Sequence, residues 1–170
     1  WFEESPFASL LAKSVKEWCG TDIAMINSGL LLDGLPAGEV TKHDLHRVCP
    51  HPINPCTVRL RGSELREIVR QALMDEMVRL ELKGFGFRGK MLGTMIYEGM
   101  DVKTELLDNG KPYVDSITIK GEPLNLKKTY LIATVDMFTF GRLYPAIAQA
   151  KEKNYFLPEM LRDVLAWKLG

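Results

Sequence analysis

A short segment that holds two histidines and two cysteines is the first place where side chains could do chemistry. His46, Cys49, His51 and Cys56 lie within eleven residues of one another. Two imidazoles and two thiolates could complete a tetrahedral zinc site. Their spacing is poor, however, and three prolines stiffen the segment. We therefore predict no metal in this chain, and keep a structural zinc as an alternative that metal analysis of the purified domain would test.

A glycine-rich aromatic loop is the second such place. It runs Gly84-Phe85-Gly86-Phe87-Arg88-Gly89-Lys90. Glycine is too frequent here for the interior of a helix or strand, and aromatic residues are too frequent for a linker. The pattern indicates a loop with a defined shape.

Apolar periodicity and capping residues predict four helices that would position these segments. A helix that begins after the Ser5-Pro6 cap has apolar residues on one face up to Trp18. The other three are a short helix after the box formed by Thr41 and Asp44, a long one from the Ser63 cap to Leu80, and a last one that Pro158 opens.

Short apolar or alternating runs predict five strands. They cover residues 23–26, 56–61, 94–97, 113–119 and 130–135. The last run is apolar or small on both faces, which is typical of a strand covered on two sides. No repeat or linker interrupts the pattern, so residues 1–170 are predicted to form one α+β domain.

Composition excludes several classes of protein. The 46% of hydrophobic residues is typical of a folded globular chain. Lys and Arg number 22, as do Asp and Glu, so no net charge favours nucleic acid as a partner. No apolar run is long enough to span a bilayer. The start at Trp1, without Met or a signal-peptide layout, indicates a fragment. Three cysteines cannot all pair, which favours reduced thiols and a cytoplasmic location over an exported one.

Four segments, in order, resemble the C-terminal domain of the 5′-nucleotidase family, as found in bacterial 5′-nucleotidases and metallophosphoesterases. They are Glu4-Ser5-Pro6-Phe7-Ala8-Ser9-Leu10-Leu11, Asn27-Ser28-Gly29, residues 38–45 with 48–54 and 60–65, and residues 126–145. The resemblance implies a layered α/β/β/α domain. It also implies a separate N-terminal metallophosphoesterase domain, absent from this chain, that binds two divalent metal ions and hydrolyses the phosphoester.

The same resemblance implies that this chain has no catalytic residues and recognises the substrate, a nucleotide or related small phosphoester. Three histidines without a dense acidic cluster agree with that division, because a two-metal site needs many His and carboxylate ligands. We expect the chain to be inactive without its N-terminal domain.

Aromatic residues would clamp the base. Phe85 and Phe87 lie where the family has the first stacking aromatic residue, and Tyr144 lies where it has the second. Stacking on aromatic rings contributes about 1–3 kcal/mol per base. The alternative is that these rings are ordinary core residues.

Asn27 matches the asparagine of the family's Asn-Gly-Gly-Gly-Ile-Arg motif, where a side-chain amide can both donate to a ligand and accept from it. A turn-capping asparagine is the alternative. The arginine that closes the motif is replaced by Leu32, and an earlier family arginine falls on Phe2 or Glu3.

Other cations would then have to contact a substrate phosphate, since leucine cannot imitate the guanidinium fork. Arg88, Lys90 and Arg142 are the candidates, with solvated surface charge as the alternative. The missing arginines also leave open a non-catalytic binding or interaction module with a degenerate nucleotide site. His51 replaces the phenylalanine of the family's Pro-Phe-x-Asn loop, and the sequence does not explain that change.

Overall fold

The computed structural model describes residues 5–84, 87–140 and 143–170. Its helices are α1 (Pro6–Cys19), α2 (Lys42–Val48), α3 (Gly62–Leu73), α4 (Asp75–Val78), α5 (Pro145–Ala148) and α6 (Leu161–Leu169). Its strands are β1 (Ile23–Asn27), β2 (Pro55–Arg61), β3 (Met95–Glu98), β4 (Asp101–Leu106), β5 (Pro112–Ile119), β6 (Glu122–Pro123), β7 (Thr129–Val135) and β8 (Lys153–Tyr155). Short 3-10 turns follow β1 at Ser28–Leu30 and β7 at Asp136–Phe138.

The strands form two sheets. The five-stranded sheet has the order β3-β1-β7-β2-β8, and the three-stranded sheet has the order β4-β5-β6. In the larger sheet β1 and β7 are parallel, with Ala24 opposite Ala133, and the other pairs are antiparallel. The edge where β1 and β7 both end, at Asn27 and Val135, is called the carboxyl edge below.

One hydrophobic core joins the helices to the sheets. Helix α1 packs against β1, β3, β7 and α6, whereas α3 contacts both β2 and β5 and so connects the two sheets. Residues Ile132 to Val135 of β7 are buried, as the apolar pattern predicted, but the first part of the predicted run is not covered on both faces, since Leu131 is 37% exposed. Two sheets with packed helices confirm the predicted fold class.

Several helix ends follow from their capping residues. Ser5 accepts a hydrogen bond from the Ala8 N–H at 3.1 Å, with Pro6 as the first helical residue of α1. Thr41 and Asp44 form the predicted capping box of α2, in which each side chain accepts from the other's backbone N–H. Both helix starts were therefore readable from the sequence.

The prediction for the long helix was wrong at both ends. It begins at Gly62, not after Ser63, and the Glu64 carboxylate accepts from the Arg61 N–H at 2.9 Å. Gly62 lies so close to Asn125 that a Cβ would be 2.1 Å from the Asn125 carbonyl oxygen. At the other end, Met74 adopts an extended backbone and separates α3 from α4.

The last helix begins three residues later than predicted, at Leu161. Pro158 does not open it, because the Asn54 side chain holds the preceding segment by donating to the carbonyl oxygens of Pro158 and Glu159 at 3.3 and 2.7 Å. The sequence analysis also missed α5 and the strands β4, β6 and β8.

Candidate functional site

Asn27 ends β1 at the carboxyl edge with its side chain almost wholly buried. Its Nδ2 donates to the Leu92 carbonyl oxygen at 2.8 Å. Within residues 5–84, 87–140 and 143–170, no group donates to its Oδ1. One N–H of the amide therefore donates within the protein, and the acceptor oxygen is available to a ligand or water.

The residues after Asn27 fix the segment that follows the glycine-rich loop. The Ser28 N–H donates to the Thr94 carbonyl, and the Thr94 N–H donates to the Ser28 hydroxyl at 2.9 Å. Gly29 has no room for a side chain, since a Cβ there would be 2.0 Å from the Met91 carbonyl oxygen. The Asn-Ser-Gly motif is thus explained by close contact between two backbones.

His51 also contacts the glycine-rich loop. Its Nδ1 accepts a hydrogen bond from the Arg88 N–H at 2.8 Å, and its Nε2 lies 2.7 Å from the Leu30 carbonyl oxygen. Because a backbone N–H can only donate, the ring proton is on Nε2, which donates to Leu30. The ring also stacks on Phe87, with centroids 5.1 Å apart and planes 6° from parallel.

Burial lowers the pKa of His51, and the nearby Arg88 and Arg162 charges lower it further, whereas the bond to Leu30 opposes them. The ring is therefore neutral and both nitrogens are in use. His51 acts as a positioning residue for the loop, which accounts for the replacement that the sequence left unexplained.

Asp136 is a second buried polar residue at the carboxyl edge, and the sequence analysis did not single it out. The register that pairs Ala24 with Ala133 places Asp136 opposite Asn27 when it is continued by three residues. The Asp136 N–H donates to the Asn54 carbonyl at 3.0 Å. Burial raises the pKa of the carboxyl group, although hydrogen bonds from the backbone of Asn54 and Met137 oppose that shift.

The carboxyl edge therefore carries two unused acceptors. Asp136 Oδ1, like Asn27 Oδ1, receives no hydrogen bond from the described residues. Buried polar atoms without partners are rare in folded proteins, and each calls for a bound water, a ligand or a shared proton. A ligand that brings N–H or O–H donors to this edge would fit the arrangement chemically.

The predicted clamp residues are covered in this structure. Tyr144 is 2% exposed and packs edge-to-face on Phe138, whereas Phe87 is 4% exposed and packs on His51. Their role as a base clamp stays a prediction, and it would require a movement that uncovers a ring face. Phe85, the other predicted aromatic residue, lies outside the described residues.

Two of the three predicted cations are accessible. Arg88 and Lys90 are both exposed, and neither takes part in an ion pair with a described residue. Both are therefore available to an anionic ligand. Arg142 lies outside the described residues.

A cleft of about 530 Å³ lies between the start of α1 and the residues after β1. Its lining includes Phe7, Leu31 and Leu32, together with Asp33, whose carboxylate pairs with Arg47. Leu32, which the sequence resemblance predicts to replace the family's motif arginine, carries no charge. Among the described residues, no Lys or Arg side chain lines this cleft, and Asp33 is its charged residue.

The histidine and cysteine segment does not assemble a metal site. The two ring nitrogens of His51 are occupied, and burial raises the pKa of the Cys49 thiol to about 12. Within the described ranges, no group of three or more His, Cys, Asp or Glu side chains could hold a metal ion. All three cysteines are free thiols.

One further observation concerns membranes. Among the helices of the described ranges, none has both the length and the apolar character needed to cross a bilayer.

Comparison with known proteins agrees with this architecture. The chain is 55% identical over all 170 residues to the uncharacterized metallophosphoesterase YunD of Bacillus subtilis. Its fold superimposes on a 5′-nucleotidase precursor from Thermus thermophilus with a TM-score of 0.78 at 18% identity, and on the NAD nucleotidase of Haemophilus influenzae with 0.72 at 16% identity. These two matches cover 99% and 98% of this chain.

The chain spans only about a third of these longer proteins, namely 37% of YunD, 32% of the Thermus protein and 30% of the Haemophilus protein. The model of the family described as 5′-nucleotidase, C-terminal domain, matches residues 1–148. Because this model matches most of the chain and the Bacillus relative is 55% identical, the chain belongs to the 5′-nucleotidase C-terminal domain family, whose members are phosphoesterases and nucleotidases.

Proposed function

We propose that this chain is the substrate-recognising domain of a metal-dependent phosphohydrolase that acts on nucleotides or related phosphoesters. The observation that carries the proposal is the pair of buried, unused acceptor oxygens on Asn27 and Asp136 at the carboxyl edge. Sites at the carboxyl ends of parallel strands are common ligand positions in open α/β sheets. Hydroxyl groups of a sugar or N–H groups of a base would supply the missing donors.

Catalysis would belong to a separate N-terminal metallophosphoesterase domain. The Bacillus relative supports this division, because it is named a metallophosphoesterase and is nearly three times as long as the chain. The donor set described here does not fit a metal, and the two divalent ions are therefore assigned to the N-terminal domain. This chain would bind and orient the substrate without contributing to bond cleavage.

Arg88 and Lys90 are the proposed contacts for the phosphate. Both are exposed, and the hydrogen bond from the Arg88 N–H to His51 fixes the backbone that carries them. Arg142 remains a third proposed contact. A charge-assisted contact to phosphate is stronger than a neutral hydrogen bond, so losing one should weaken substrate binding measurably.

A panel assay tests the proposal. The full-length protein with Mn²⁺ should release phosphate from at least one nucleotide, sugar nucleotide or cyclic nucleotide, and the 170-residue chain should release none. Arg88→Ala should raise KM with little change in kcat, whereas Arg70→Ala, an exposed arginine on α3, should change neither. A full-length protein that is inactive on every substrate would favour the non-catalytic binding module.

We also propose a cytoplasmic location for the protein. Three free thiols agree with a cytoplasmic protein, since oxidising compartments favour disulfides. The alternative is export, which the word precursor in the name of the Thermus relative supports. Fractionation of cells that express the full-length protein would distinguish the two.

A further inference from the structure

Strand β4 forms a free edge of the smaller sheet. Among the described strands β5 alone pairs with it, and every β4 residue except Val102 is exposed. The irregularity in that pair lies in β5, where Asp115 is the extra residue, so β4 itself is regular. A regular, accessible edge strand presents unpaired N–H and C=O groups to which another strand can bond.

The backbone groups of three β4 residues point toward this free edge. Leu107 follows β4 directly, and its N–H donates to the Lys111 carbonyl oxygen at 2.8 Å, so Leu107 faces the β5 side. Residues that bond to the partner strand alternate with residues that do not. The N–H and C=O groups of Val102, Thr104 and Leu106 are therefore directed away from β5.

The charges on β4 favour a second copy of the same strand as the partner. A two-fold axis perpendicular to the sheet opposes residues whose side chains face the same way, so the axis passes through a residue. With the axis at Lys103 or Glu105, identical charges oppose each other. With the axis at Thr104, Lys103 opposes Glu105 of the second copy, and the same pair forms again on the other side of the axis. Opposite charges at such positions stabilise strand pairing, whereas like charges destabilise it.

The same register covers an exposed apolar side chain. Leu106 is 71% exposed, and with the axis at Thr104 it opposes Val102 of the second copy. The residues whose backbone groups point outward then oppose one another and can exchange hydrogen bonds. Backbone groups, charges and apolar side chains thus favour one register.

From this pattern we infer that two copies of the protein associate through antiparallel pairing of their β4 strands, with the two-fold axis at Thr104. The two smaller sheets then form one six-stranded sheet. Neither Lys103 nor Glu105 takes part in an ion pair with a described residue, so both are available to the second copy. The inference goes beyond the proposed function, because β4 contains none of the proposed ligand contacts.

Charge reversal in the full-length protein tests the inference. Lys103→Glu and Glu105→Lys each place like charges opposite each other at two positions, and each should raise the dissociation constant of the dimer at least about fivefold in analytical ultracentrifugation. The double substitution should restore the dimer, because it exchanges the two charges. Glu122→Lys is the matched control, since this exposed residue lies on β6 at the opposite edge of the sheet. Circular dichroism of each variant confirms that it is folded.

A disulfide trap gives a second readout. Thr104→Cys would place two thiols across the axis with Cα atoms about 5.5 Å apart, a separation that a disulfide can span. Oxidation should produce covalent dimers of this variant and none of Glu122→Cys.

Three results would overturn the inference. A full-length protein that stays monomeric up to millimolar concentration has no such interface. A dimer that neither single reversal weakens uses another surface. Single reversals that weaken the dimer without rescue by the double substitution would reject the register with Thr104 on the axis, as would a failure of Thr104→Cys to cross-link.

Discussion

The carboxyl edge and the β4–β5 hairpin differ in how their polar groups are used. At the edge, the side chains of Asn27 and His51 are buried and bond to backbone groups 65 and 37 residues away. In the hairpin, every residue of β4 is exposed or half-buried, and the Asn109 side chain accepts a hydrogen bond from the nearby Lys111 N–H. Buried hydrogen bonds between residues far apart in the sequence form only when the fold brings the two groups together. The carboxyl edge depends on such hydrogen bonds, whereas the hairpin depends on local ones.

Substitution of one glycine in each region should give the largest difference in stability. Gly29→Ala should cost more than about 3 kcal/mol of unfolding free energy, because its Cβ would meet the carbonyl oxygens of Met91 and Leu92 at 2.0 and 2.6 Å. Gly110→Ala in the hairpin turn should cost only about 1–2 kcal/mol. Its φ of +80° is unfavourable for alanine, but no atom lies within 4 Å of a Cβ there. Urea denaturation of both variants measures the difference, and equal losses would contradict the close packing at Gly29.

Removing the hydrogen bonds of His51 should give the next largest loss of unfolding free energy. His51→Phe keeps a flat ring against Phe87 but leaves the Leu30 carbonyl and the Arg88 N–H without partners. We expect a loss of about 2–6 kcal/mol, since each of the two groups left without a partner costs about 1–3 kcal/mol. Tyr113→Phe in the hairpin should change stability by less than about 0.5 kcal/mol. An unchanged urea midpoint for His51→Phe would show that His51 does not hold the loop.

The pH dependence of stability gives a smaller effect at the same residue. The pKa of His51 is lowered in the folded chain, so below its ordinary value of about 6.5 the unfolded chain binds more protons than the folded one. Stability should therefore fall as the pH drops from 7 toward 5. In His51→Phe the same curve should be flatter over this range. Parallel curves for the two proteins would contradict a neutral, buried His51.

Much of this fold could be predicted from the sequence because it depends on interactions between residues that are close in the chain. The Ser5 cap, the capping box of Thr41 and Asp44, and the apolar run of β7 each depend on neighbours within a few residues. The strands that were missed are short or exposed, and β8 has only three residues without alternation. The break at Met74 has no marker in the residue types.

The candidate site was less predictable because its residues are brought together across the chain. Asn27 was found through its motif, but Asp136 is placed beside it only by the register of β1 and β7. His51 suggested a metal ligand by residue type, and only the structure shows that both of its nitrogens are occupied. A proline or glycine pattern can predict that a loop exists, but not which side chain holds it.

We propose that the carboxyl edge, and not the hairpin region, recognises the ligand. The hairpin offers a rival cleft of about 540 Å³ that Met74, Leu107 and Tyr113 help to line. Its walls are largely apolar and contain no buried polar atom without a partner among the described residues. Which of the two regions binds the ligand can therefore be tested directly.

The most direct measurement is a titration of the ¹⁵N-labelled chain with AMP, followed by NMR. Amide shifts should change at Asn27 and Asp136 while those of residues 101–119 stay constant. Changes centred on Met74, Leu107 and Tyr113, or none anywhere at millimolar AMP, would contradict this proposal.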